Sequence, residues 1–139
     1  MNILIIEKSK IISHILKSTL LAYGYNITED SAEFSSGNLI KRGLFEIIIL
    51  DTNLSGKFDT NYILKHIKEC KKIESKILGV CSIGTWKDKV NFLNSGGDDV
   101  LSYPFPVQEL IARIQSLLRR PNSYIDNKVY LGDILLDTG

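Results

Sequence analysis

The sequence predicts a doubly wound α/β domain, a five-stranded parallel sheet with five helices packed on its two faces. Three observations carry this expectation. Short β-rich apolar runs recur at residues 3–6, 25–28, 46–50, 77–81 and 99–102. Segments with helical spacing of apolar residues lie between them. The stretch Ile47, Ile48, Ile49, Leu50 is unbroken apolar, the mark of a strand covered on both faces rather than one. Strand followed by helix, five times over, implies right-handed crossovers and hence parallel neighbours. In such sheets a pocket forms beyond the carboxyl ends of the strands. That rule singles out Glu7, Lys8, Asp51, Cys81, Ser82 and Tyr103.

Taken in order, the first strand reads from Asn2 to Ile6. Ile11, Ile12, Ile15, Leu16 and Leu20 then make one apolar helical face, with Ser9 placed to cap it and Gly24 to stop it. After the second strand, residues 32–42 carry a weaker helical pattern that ends at Gly43. The third strand leads to a helix whose inner face is Tyr62, Ile63, Ile67 and Cys70; the fourth leads to one whose inner face is Val90 and Leu93. The last helix presents Leu110, Ile111, Ile114, Leu117 and Leu118. Periodicity stops at residues 121–128, where Pro, Asn, Ser and Asp predominate as in a linker. Residues 129–139 resume a β-like run, read as the truncated start of a second domain or as a tail strand on the first.

Composition bounds the function. A 139-residue chain with 44% hydrophobic and 24% charged residues is sized for one core and needs no disulfide staples. Cys70 and Cys81 match no metal or redox spacing, which suits reduced thiols in the cytoplasm. No leader pattern precedes the first apolar run, and no stretch reaches the roughly eighteen apolar residues of a membrane span. A balance of 17 basic to 16 acidic residues leaves no electrostatic footprint for a polyanion, so this part of the chain is not itself expected to hold DNA.

The segments ILIIE at 3–7, IIILD at 47–51, SGGDD at 95–99 and YPF at 103–105 resemble the motifs of response-regulator receiver domains of two-component systems. The resemblance runs over residues 1–120 and implies the receiver, flavodoxin-like, version of the fold. In that family an acidic pair after the first strand binds magnesium, and an aspartate after the third accepts a phosphoryl group. A Thr or Ser after the fourth strand contacts that group, and a lysine precedes the proline after the fifth. Such chemistry needs a positioned carboxylate, a hard cation and further positive charge. Here Asp51 takes the acceptor position and Glu7 keeps one acid, but Lys8 stands where the second acid belongs. Cys81 replaces the hydroxyl residue, with Ser82 one place late; Tyr103 replaces the lysine, and Val100 the aromatic switch residue. The reading is a degenerate pocket, a pseudo-receiver with no resident metal or cofactor and no enzymatic role. The Lys8 ammonium is expected to bridge to Asp51 or Glu7 as an internal counterion, or else to swing into solvent and leave metal binding to Glu7, Asp51 and a backbone carbonyl. The bond before Pro104 is expected to be cis, as is common in that family.

The resemblance extends to the winged-helix (OmpR/PhoB) class, which dimerises through the face of the fourth helix, fifth strand and fifth helix. On that face Lys89 and Glu109 match one intersubunit pair, Asp99 and Arg113 another, and Arg119 and Arg120 end the last helix. The implied partners are a second copy of the chain and DNA, the latter through a winged-helix domain opened by residues 129–139. A conventional switch phosphorylated on Asp51 by a histidine kinase is the alternative. A small-ligand or flavin module is the third reading, against which stands the lack of a Gly-rich loop after the first strand.

Overall fold

The computed structural model describes residues 1–30, 37–70, 74–82 and 86–119. In chain order it contains β1 (Asn2–Ile6), α1 (Lys10–Ala22), β2 (Asn26–Asp30), α2 (Gly37–Lys41), β3 (Ile47–Asp51), α3 (Thr60–Glu69), β4 (Lys76–Cys81), α4 (Trp86–Asn94), β5 (Asp99–Ser102) and α5 (Val107–Arg119). The strands form one parallel sheet in the order β2-β1-β3-β4-β5, which is the expected architecture. Arg120, the linker at 121–128 and the second-domain start at 129–139 lie outside the described residues, as do residues 32–36 of the second expected helix. Among the described residues no helix is long and apolar enough to cross a membrane.

The alternation of side chains along each strand builds two cores from one sheet. Ile3, Ile5, Ile47, Ile49, Leu78, Val80 and Leu101 meet the inner faces of α1 and α5. Leu4, Ile6, Ile48, Leu50 and Ile77 meet Ile40, Ile63, Leu64, Ile67 and Phe92 on the other side. This is why the central strands carry no polar residue before their ends. Each such aliphatic side chain contributes about 1.5–3 kcal/mol on burial. Helix starts are capped where the strands finish: the Ser9 hydroxyl accepts from the Ile12 N–H at 3.2 Å, and the Asp59 carboxylate from the Tyr62 N–H at 2.7 Å. Gly24 and Gly43 close their helices with φ of 89° and 66°, conformations that side chains resist.

Several expectations need correction: Ile11 and Tyr62, read as part of the apolar faces of α1 and α3, are 70% and 45% exposed, and two more concern β2 and α4. The second strand runs two residues further than its apolar run, because pairing with β1 continues from Asn2↔Asn26 to Ile6↔Asp30. Its polar Glu29 is accommodated at the sheet edge by the Ser13 hydroxyl at 2.8 Å and the Lys17 ammonium at 3.1 Å. In α4, Val90 and Leu93 do not face the core; they are 42% and 45% exposed, and Phe92 is buried instead. The reason lies in the glycines beneath it. A side chain at Gly79 would come within 2.7 Å of the Phe92 ring and 2.8 Å of Thr52 Cγ2, and one at Gly97 would also strike that ring. One aromatic knob seated over two glycines sets the roll of the helix.

Gly79→Ala should therefore cost about 1–3 kcal/mol of unfolding free energy, the range of core overpacking. Urea denaturation measures it, and Phe92→Leu in the same chain should recover part of the loss. Wild-type stability of the single variant would show that the ring does not hold α4 as described.

Candidate functional site

β1 and β3 pair through Ile6↔Leu50, so Glu7 and Asp51 emerge side by side at the carboxyl end of the sheet. Both are buried, at 4% and 5% exposure. Glu7 Oε2 accepts the Ser9 N–H at 3.0 Å. Asp51 Oδ1 accepts the Asn53 N–H at 2.8 Å, and its Oδ2 a longer bond from the Lys8 N–H at 3.4 Å. Burial, the hydrogen bond to the Asp51 side chain and the Asp51 charge together push the Glu7 carboxyl from its ordinary 4.5 up to about 8, while the N–H groups of Ser9 and Lys8 pull it down. Near neutral pH this shift favours the protonated form of Glu7.

The expected Lys8 bridge is absent. The Lys8 side chain is exposed, and among the described residues no ion pair involves its ammonium; only its backbone N–H reaches Asp51. Alternation at the end of β1 turns Glu7 inward and Lys8 outward.

The turn after Asp51 contains two residues that the sequence reading passed over. The Thr60 hydroxyl donates to the Asp51 carbonyl at 2.7 Å and accepts from the Leu54 N–H at 3.0 Å. The Asn53 side-chain oxygen takes the Thr52 hydroxyl at 3.0 Å and the Cys81 thiol at a long 3.9 Å. The Asp59-Thr60 step before an apolar helical face was a legible cap signal, but nothing in it disclosed the partner of the Thr60 hydroxyl. Cys81 is buried and Ser82 half-buried at the end of β4. Tyr103 joins the pocket through its backbone, its N–H donating to the Cys81 carbonyl at 2.9 Å. Its ring packs on the α1–α5 core and edge-on to Phe105, with centroids 5.7 Å apart. The Tyr103–Pro104 bond is cis, as expected.

The residues assigned to the dimer face lie apart from this pocket. Arg113 binds both Asp99 oxygens, at 2.9 and 3.0 Å, and Glu109 through two nitrogens, at 2.9 and 3.0 Å. The hydrogen bond to Asp99 and then that to Glu109 raise its already high pKa. The expected intersubunit partners are thus engaged within one chain. Lys89 is half-exposed on α4, and Val100 packs partly against the core on the α2–α4 side. Beside them runs an exposed apolar stripe, Trp86 at 68% exposure, then Val90 and Leu93, at the i, i+4, i+7 spacing of a single helix face; the sequence had placed the last two in the core.

No family model matches the chain. Curated relatives do. The chain is 30% identical over 143 residues to the transcriptional regulatory protein DltR of Streptococcus agalactiae, covering 99% of itself and 61% of that protein. It is 31% identical to the transcriptional regulatory protein QseB of Escherichia coli O157:H7 over 143 residues, covering all of itself and 63% of the relative. The chain therefore spans about three fifths of the length of these relatives. Among solved structures, a two-component response regulator from Clostridium difficile superposes with a TM-score of 0.76 at 29% identity, over 86% of this chain and 97% of that one.

The acid pair sets a pH dependence. Because folding raises the Glu7 pKa from 4.5 to about 8, its protonated form stabilises the fold fully below the unfolded value. That contribution is lost as pH rises through the folded value, at up to about 1.4 kcal/mol per pH unit. Unfolding free energy measured by urea at stepped pH should fall across this window. Glu7→Gln should flatten the profile and gain about 1 kcal/mol or more at its alkaline end. An identical slope in the variant would remove Glu7 as the titrating group.

Proposed function

We propose, from the premise that relatives and fold together support a response-regulator receiver domain, that this chain is the regulatory half of a transcription factor that works as a dimer without ordinary magnesium-dependent aspartyl phosphorylation. The observation that carries this reading is the Glu7–Asp51 pair. A hard cation binds anionic oxygens, whereas burial and the neighbouring Asp51 push the Glu7 carboxyl toward its neutral form. Beside the pair stands Lys8, its side chain exposed, where a third carboxylate would be needed. Among the described residues no group of three or more His, Cys, Asp or Glu converges on a common point, so the donor set fits a resident metal poorly. The rest of the pocket agrees: Cys81 offers a weak donor, and Tyr103 sends a ring into the core instead of a cation toward Asp51.

Output on this reading passes through the α4–β5–α5 face to a second copy of the chain, in a protein whose DNA contacts belong to a winged-helix domain beyond the receiver. The cytoplasm is its setting, and a regulator's role, not an enzyme's, is its activity. A histidine kinase is a partner only if Asp51 remains an acceptor. Because Arg113 already holds Asp99 and Glu109, each intersubunit ion pair would replace an intrachain one, and exposed pairs are worth at most about 1 kcal/mol. The driving force is therefore assigned to the stripe of Trp86, Val90 and Leu93, with Lys89 and the Arg113 cluster setting register.

Two measurements test this. Acetyl phosphate with magnesium should leave the intact mass unchanged, and calorimetric titration with magnesium should show no saturable site; a stable phosphoryl adduct on Asp51 would restore the conventional switch. In sedimentation, Leu93→Glu should weaken the dimer by about tenfold or more, the scale of one lost interface contact, and more than Arg113→Glu does. A chain that is monomeric at every concentration would defeat the dimer assignment.

A further inference from the structure

We propose that Thr60 is a positioning residue for the Asp51 carboxylate, acting through the turn that its hydroxyl closes. A hydroxyl can donate once and accept as well, and this one does both: it donates to the Asp51 carbonyl at 2.7 Å and accepts from the Leu54 N–H at 3.0 Å. The Thr60 N–H adds a long bond to the Leu54 carbonyl at 3.4 Å. The ring of bonds is enclosed, with Thr60 at 7% exposure, where such contacts are strong and their loss leaves stranded polar groups. Helix capping does not explain it, because Asp59 already caps α3 through the Tyr62 N–H at 2.7 Å. The consequence falls on Asn53, one of the two residues between the anchored points. Asn53 sits inside the closed turn and aims its N–H at Asp51 Oδ1, 2.8 Å away. Thr60 touches neither that N–H nor the carboxylate, yet it fixes both ends of the segment that brings them together. The start of α3 and the Asp51 carboxylate are thereby joined as one rigid unit, whether or not Asp51 ever takes a phosphoryl group.

Nuclear magnetic resonance on the full chain tests the inference. In the wild type the Thr60 hydroxyl proton should exchange slowly enough to be observed. Thr60→Val keeps the shape and removes both bonds. It should speed hydrogen exchange of the Asn53 amide by about tenfold or more, the loss of roughly one net hydrogen bond, and shift the Asp51 carboxyl carbon signal at fixed pH. Thr60→Ser should keep both at wild-type values. A folded Thr60→Val chain with unchanged Asn53 exchange and Asp51 signal would reduce Thr60 to a packing residue and overturn the proposal. If Thr60→Val does not fold, a fast-exchanging hydroxyl in the wild type, or loss of Asn53 protection in Thr60→Ser, overturns it equally.

Discussion

Everything at the carboxyl edge of this sheet is conditioned by one juxtaposition, two carboxyl groups set side by side where the fold has withdrawn them from water. β1 after Asn2 and β3 are covered on both faces, so their side chains are aliphatic until the sheet ends, and the polar residues that follow, Glu7 and Asp51, arrive at the same place. Two anions cannot share so dry a spot. Burial and the neighbouring acid push Glu7 toward its protonated form, while the N–H groups of Lys8 and Asn53 are aimed at Asp51 and that of Ser9 at Glu7. Backbone dipoles stand where a cation would otherwise balance the site.

How much of this was legible in the sequence depended on distance along the chain. The fold was plain because each of its signals is local or periodic. The apolar run Ile47 to Leu50 announced a strand covered twice, Ser9 announced a helix start, and Gly24 and Gly43 marked the ends of helices. The strand-end rule likewise brought Glu7, Asp51 and Cys81 together correctly. What failed were statements about direction. Lys8 was sent inward by a charge argument, whereas the pleat of β1, which admits Glu7, turns it out. Val90 and Leu93 were counted as core because they are apolar. The roll of α4 is decided by Gly79 and Gly97, one on the strand before the helix and one in the loop after it. The Thr60 hydroxyl was invisible for a related reason, since its partners lie nine and six residues back along the chain.

The pocket and the outer face of α4 are closer neighbours than their separate roles suggest. Thr52 follows Asp51 directly, its N–H bonded to the Val80 carbonyl at 3.1 Å, and its methyl group borders the same space above Gly79 that the Phe92 ring fills. A displacement of the turn after Asp51 would therefore meet the one side chain that seats α4. That is adjacency, and it is carried by packed atoms rather than by the aromatic switch position, which Val100 leaves without a ring.

The seating of α4 on a single ring has a thermodynamic corollary. α1 and α5 each bury four side chains, whereas among its residues α4 buries Phe92 alone. Local opening free energies follow buried apolar contact, so α4 occupies the shallow end of the stability gradient. Its opening should cost less free energy than that of α1 or α5. A subunit that covers the outer stripe would then do more than join two chains: it would lend α4 the cohesion that its own interior does not supply, and association would be felt first as the quieting of a single helix.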